Sequence, residues 1–279
     1  MTAVPATPST PSTPSTPAAA TASVDPTTRR VPPFGGLNAT LVRIELKRML
    51  RNRRTIIFAL VFPAAMFFVF GSGNDSQESV GVGNVSAYVM VSMALYGGAL
   101  LAAATGAGVA IERSLGWSRQ LRLTPLHATA YILVKAFVAL VMGAVAILAV
   151  NVIGAVQGKP QMPFDVWVAC GLLTLACVMT FAALGVFVGY LVPGENVMQV
   201  LGPGLALLAF LGGLFIPLSS YSPVVRDIAY WTPMYGVAEV ARAPLTQELP
   251  WYAVVNAVAW LAIFVLGAAW RMSKDTARV

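Results

Sequence analysis

The stretch IERSLGWSRQLRLTPL, residues 111–126, lies between two long hydrophobic runs, and its reading decides how the rest of the chain is read. It carries three of the chain's 18 Lys and Arg residues, an adjacent Glu112–Arg113 pair and a Thr124–Pro125 stop. Nothing else between the second and fourth hydrophobic runs is polar enough to offer a soluble partner a docking surface. A short basic connection between two long apolar runs is how a chain that crosses a membrane and turns back on its basic side reads.

The composition agrees. Hydrophobic residues make up 57% of the 279 residues and charged residues only 10%, where soluble domains carry about 25% charge. Mean hydropathy is +0.74. Six runs follow along the chain: 55–71, 85–110, 131–156, 167–192, 197–216 and 251–270. Most meet the length of about 20 residues that spans about 30 Å of hydrocarbon, although the first is short and contains Pro63. The expected fold is all-α: six transmembrane helices, an N-terminal interfacial helix and an outer re-entrant helical hairpin before the last span.

Residues 1–36 are rich in Pro, Ser and Thr and nearly devoid of large apolar side chains. Such a segment cannot bury enough surface to offset its ordering entropy, so it is expected to be a disordered tail. A membrane domain over 37–272 and a second tail over 273–279 follow. Asn38 can cap a helix over Ala39–Arg51, with Val42, Leu46, Met49 and Leu50 on one stripe and Arg43, Lys47 and Arg51 on another. This pattern suits a helix lying in the interface, apolar side toward lipid and cations toward anionic headgroups.

Charge distribution sets the orientation. The tail and first helix supply eight Lys and Arg, the 111–130 loop three and the C-terminal tail three, with Lys135 placed to snorkel from the third run. The opposite side has only Lys159, Arg226 and Arg242. Both termini and the 111–126 loop are therefore expected to be cytoplasmic. The net charge of +7 thus reflects membrane orientation, not nucleic acid, because the cations flank apolar runs and do not form a face with stacking aromatics.

Residues 217–250 are neither a span nor a simple loop. Ser222–Pro223 and Thr232–Pro233 are helix starts, which predicts two short helices, the second ending at Ala243 before Pro244. Glu239 and Arg242 read as an i,i+3 surface pair. Small residues recur in the spans, Ala102, Gly106 and Ala110 in the second and Gly185 and Gly189 in the fourth, and these suit close helix packing within the chain.

Much familiar chemistry is missing from the sequence. His127 is the sole histidine, which leaves no His-based metal cluster or Ser–His–Asp triad. Cys170 and Cys177, two turns apart on one helix face, are too distant to bridge. The runs hold no Asp, Glu or His away from their ends, as a proton- or sodium-coupled carrier would need, and no phosphate-binding loop is present. An energy source outside this chain is expected.

The order of motifs resembles the ABC (ATP-binding-cassette) type-2 permeases. Glu112, Arg113, Gly116, Leu121, Thr124 and Pro125 match that family's E-R-x-x-G-x-x-x-x-L-x-x-T-P first cytoplasmic loop. The segments GGLFIPL (212–218), YSP (221–223) and YWTPMY (230–235) are similar to its outer hairpin. The resemblance covers about residues 37–271. It implies an exporter's transmembrane subunit in the bacterial inner membrane, paired as a homodimer or heterodimer with a second permease, among membrane lipids. It binds no cofactor itself; ATP and Mg²⁺ belong to a partner ABC ATPase. On this resemblance the coupling residues are Glu112, Arg113, Gly116, Trp117, Arg119, Leu121, Arg122, Thr124 and Pro125. Those of the outer gate are Phe215, Pro217, Tyr221, Pro223, Trp231, Pro233 and Tyr235. Glu112 is expected at a hydrated boundary where its loss would cost folding little. The alternatives are an ATP-independent channel or carrier, or a membrane scaffold that recruits a soluble partner.

Overall fold

The computed structural model describes residues 39–116, 128–194 and 196–276. The expected tail and the loop positions Trp117, Arg119, Leu121, Arg122, Thr124 and Pro125 lie outside the described residues. The helices are α1 (Ala39–Arg51), α2 (Arg53–Phe70), α3 (Val85–Ser114), α4 (Ala128–Gln157), α5 (Phe164–Leu191), α6 (Val197–Leu211), α7 (Pro223–Tyr230), α8 (Pro233–Thr246) and α9 (Trp251–Thr276). A two-stranded hairpin, β1 (Ser79–Val80) and β2 (Gly83–Asn84), precedes α3. The chain is thus an all-α membrane protein.

Among the described residues, five helices (α2, α3, α4, α5 and α9) are long and apolar enough to cross a membrane. The run at 197–216 gives a shorter helix than expected. At about 1.5 Å per residue, the 15 residues of α6 fall short of about 30 Å. The helix ends because Gly213 takes φ +73°. The Leu214 N–H then donates to the Ala209 carbonyl at 3.0 Å and the Gly213 N–H to that of Phe210 at 3.2 Å, the pairing that closes a helix on a left-handed residue.

Helix α3 is the axis of the bundle, buried without interruption from Met90 to Ala110. It can be enclosed so fully because its neighbours approach at glycines. A Cβ on Gly106 would run into the Ala182 carbonyl oxygen, and one on Gly185 into that of Ala103. The small residues of the second and fourth runs therefore pack against each other within one chain. Around α3 stand α2, α4, α5, α6 and α8, while α9 leans on α5 and α8. Asn84 ties the start of α3 to the α4–α5 connection. Its Oδ1 accepts from the Ala87 N–H at 2.9 Å and the Gln161 N–H at 3.0 Å, and its Nδ2 donates to the Lys159 carbonyl at 2.9 Å.

Helix α1 has the expected bounds but a different environment. Met49 is buried and Leu41, Val42 and Leu46 pack against the core, while Leu50 and Ile44 are exposed. Its inward stripe therefore meets the bundle, not lipid, and Glu45 is buried with it. Helix α8 also runs past its expected end. Pro244 sits in the final turn, and Gln247 closes the helix in the left-handed region with its N–H donating to the Ala243 carbonyl at 2.9 Å.

Candidate functional site

Among the described residues a largely buried charge cluster lies where α3 runs out toward the 111–126 loop. Three helices contribute: Glu45 and Arg48 from α1, Glu112 from the last turn of α3, and Tyr131 and Lys135 from the first two turns of α4. The Glu112 carboxylate accepts from Lys135 Nζ, Arg48 Nη2 and the Tyr131 hydroxyl. The Glu45 carboxylate bridges the same cations, 2.8 Å from Lys135 Nζ and 3.0 Å from Arg48 Nη2. Glu45 and Glu112 are 4% exposed and Lys135 3%. Two carboxylates thus face two cations, and the group is neutral as a whole. Burial tends to lower the Arg48 pKa, but the carboxylates of Glu112 and Glu45 outweigh it and hold it raised.

This arrangement corrects two expectations. Glu112 is not at a hydrated boundary, because α1 and α4 close over it. Nor does Lys135 snorkel to water, because its ammonium finds two carboxylates inside the bundle. A buried charge is sustained only by such pairing.

Arg113, the next residue, turns elsewhere. Its Nη1 lies 3.4 and 3.3 Å from the carbonyls of Gly189 and Tyr190, and its guanidinium stands 5.1 Å from the Tyr190 ring centroid. These carbonyls belong to the last turn of α5, where a cation complements the helix dipole. The adjacent Glu112 and Arg113 thus pin the foot of α3 to different helices. Gly116 follows at φ +69°, a left-handed turn that leads the chain out of α3 and favours glycine.

The outer residues form no single constellation. Phe215 faces Tyr96 and Phe62, at centroid distances of 5.2 and 6.4 Å. Tyr221 donates its hydroxyl to the Phe210 carbonyl at 2.6 Å. Pro217 opens a one-turn 3-10 helix over Leu218–Ser220, and Pro223 and Pro233 occupy the first turns of α7 and α8. Trp231 is 80% exposed, whereas Tyr235 is buried against Tyr230 and Tyr252. Burial, and then its contact with Tyr252, raises the Tyr235 hydroxyl pKa.

Arg242 is the surprise of this end. It does pair with Glu239 at 2.9 Å, as its spacing predicts, but it is only 1% exposed. Its guanidinium donates to the Gly213 carbonyl at 3.1 Å, to Ser92 Oγ at 3.3 Å and to the Ala238 carbonyl at 3.2 Å, and lies 4.4 Å from the Tyr88 ring centroid. It joins α8 to α3 and to the end of α6. An i,i+3 pair in a short helix gives no sign of which side faces the bundle. Glu45, Arg48 and Tyr131 were equally missed, although an ionisable Lys135 inside a span demands a partner, and Tyr131 is one helical turn away from it.

An all-α bundle with five helices long and apolar enough to cross a membrane among the described residues, and a central helix clamped by charge at its foot, is the architecture of a polytopic membrane protein. A family model described as "ABC-2 type transporter" matches residues 37–246, and the chain belongs to that family. It is also similar to "Putative transport permease YvfS" of Bacillus subtilis (strain 168), at 26% identity over 242 residues, covering 84% of this chain and 96% of that one.

Proposed function

We propose that this chain is the permease subunit of an ATP-driven exporter in a bacterial inner membrane. Two permease copies form the path for a drug-like, lipid or polymer substrate. Separate ABC ATPase subunits bind and hydrolyse ATP with Mg²⁺, and they act on this chain through the 111–126 loop. The termini and that loop face the cytoplasm, a reading supported by the concentration of Lys and Arg on that side.

The observation that carries the proposal is the course of α3. The helix leaves the loop at a charge cluster fixed to α1 and α4, runs buried through the bundle, and meets Arg242 of the outer hairpin at Tyr88 and Ser92. A push on the loop would therefore move a stiff central helix, and the hairpin with it.

The test uses Trp117→Ala, a change within the loop that substitutes no member of the buried cluster. A tagged permease is co-purified with its ATPase partner, and ATP hydrolysis is measured in lipid. Loss of partner recovery with normal membrane insertion is expected. Wild-type recovery and wild-type hydrolysis would overturn the coupling role.

A further inference from the structure

Helix α1 has two faces. On the inner one Val42, Leu46 and Met49 pack against the bundle, and Glu45 enters the charge cluster. On the outer one Arg43, Lys47 and Arg51 are exposed. At about 3.6 residues per turn these three form a strip along the helix, bordered by Ile44 at 56% exposure and Leu50 at 51%. Asn52 alone separates α1 from α2, whose first turn adds Arg53 and Arg54, also exposed. Among the described residues none of these five cations pairs with a carboxylate. Arg48, at the edge of the strip, meets two.

Like charges four residues apart, as in Arg43, Lys47 and Arg51, destabilise a helix by repulsion, so this face calls for an anionic surface. Its surroundings decide which. Helix α2 is long and apolar enough to cross a membrane, and beyond Arg54 it exposes Ile57, Phe58 and Val61. From Arg54 to Phe58 is about 6 Å along the helix, so the cations stand about one turn from the apolar surface of a span. Ile44 and Leu50 lie among them. An acidic protein or a nucleic acid would match the charges but leave these two side chains in water. A headgroup layer serves both, and cations mixed with large apolar side chains mark a helix lying in that layer.

We propose that the outer face of α1 binds the headgroups of anionic phospholipids, and that this contact tightens the charge cluster on the inner face. Helix α1 packs chiefly on α4, where Glu45 holds Lys135 at 2.8 Å, and Arg48 reaches Glu112 of α3. Phosphates that relieve the repulsion along the strip therefore also steady the helix that supplies half of the cluster. Membrane charge thereby sets how firmly the foot of α3 is held. The inference depends on neither ATP coupling nor substrate identity.

The test follows hydrogen exchange of the full chain, read by mass spectrometry, in vesicles of phosphatidylcholine alone or mixed equally with phosphatidylglycerol. One basic residue at such a surface contributes about fivefold, the factor equivalent to about 1 kcal/mol. Phosphatidylglycerol should therefore slow exchange in α1 by more than about fivefold, and the slowing should extend to the last turn of α3. Raised salt should weaken it. Changing Arg43, Lys47 and Arg51 together to Gln should remove most of the response while leaving exchange in phosphatidylcholine at the wild-type level. Lys47→Gln alone, which serves if the triple change unfolds α1, should give back about fivefold. Arg43→Lys with Arg51→Lys keeps the charge and should keep the response. Three outcomes would overturn the proposal: no effect of phosphatidylglycerol, the same response in the Gln variants, or equal protection by soluble polyglutamate in phosphatidylcholine, which would assign the face to an acidic protein. Slowing confined to α1 would overturn its link to the cluster.

Discussion

Helix α3 is held at both ends by a buried cation, Lys135 at one and Arg242 at the other, but the two attachments are built differently. At the loop end, Lys135 and Arg48 meet Glu112 and Glu45 in a balanced set of four charges. At the hairpin end, Arg242 meets one carboxylate, that of Glu239, whose side chain is 23% exposed. Its other partners are neutral: two backbone carbonyls, a hydroxyl and a ring. Three of the four, Glu45, Glu112 and Lys135, are buried, and Arg48 closes the set from the solvent side with its side chain 41% exposed. Removing a buried member unbalances charge inside the bundle. Removing Arg242 leaves neutral acceptors and a carboxylate that water can reach. The first is a clamp that fails abruptly; the second is a joint whose partners can be exchanged as the hairpin shifts.

The largest expected effect is therefore Glu112→Ala. Breaking a buried pair from one side costs about 3–5 kcal/mol, to be read from reversible unfolding in detergent micelles. Adding Lys135→Met should recover much of the loss, because it removes one stranded cation. A loss below about 1 kcal/mol for Glu112→Ala would mean that the cluster is hydrated, and the contrast between the two ends would disappear.

Arg242→Met comes next. It forfeits hydrogen bonds from a charged donor, worth about 1.5–3 kcal/mol, so the drop in the same assay should be smaller than for Glu112→Ala. Arg242→Lys should restore little, since a point-like ammonium cannot reach four partners as the guanidinium fork does. Full rescue by lysine would show that charge alone holds this end.

Gly213→Ala should cost somewhat less. The residue sits at φ +73°, where a side chain costs about 1–2 kcal/mol, and a Cβ there would approach Leu218 Cγ to 2.8 Å. Because the carbonyl of Gly213 is a partner of Arg242, this change should be non-additive with Arg242→Met. A double-mutant cycle measures that coupling; strict additivity would separate the α6 turn from the Arg242 joint.

Local signals in the sequence were reliable where neighbours along the chain do the work. The bounds of α1, and the starts of α7 and α8 at Pro223 and Pro233, follow from spacing and from proline's fixed φ. The close approach of Gly106 and Gly185 was legible as small-residue spacing. What escaped were contacts between distant positions. Lys135 meets Glu45 across 90 residues, and Arg242 meets Ser92 across 150. Periodicity tells which face of a helix is apolar, but not which charged residue on that face is enclosed by another element. The 197–216 run also outlasts its helix, which ends at Leu211, since hydropathy does not register the left-handed turn at Gly213.

The smallest expected effect on stability, and the most telling for function, is Arg113→Gln. Its neighbour Glu112 cannot separate coupling from folding, because its loss disrupts the clamp. Arg113 is only partly buried, and its contacts to the Gly189 and Tyr190 carbonyls are long, at 3.4 and 3.3 Å. A cation at a helix C-terminus is worth about 0.3–1 kcal/mol, and glutamine keeps a polar, hydrogen-bonding side chain at this partly exposed position. Unfolding should therefore shift by less than about 1 kcal/mol. If Arg113 also meets the ATPase as part of the loop, losing its charge in a desolvated contact should weaken docking by about 2–5 kcal/mol, visible as poor recovery of the partner on co-purification. A stable variant that loses its partner would assign coupling to Arg113 and architecture to Glu112. A stable variant that retains its partner would leave Arg113 as a cap on α5 and move the docking surface beyond the foot of α3.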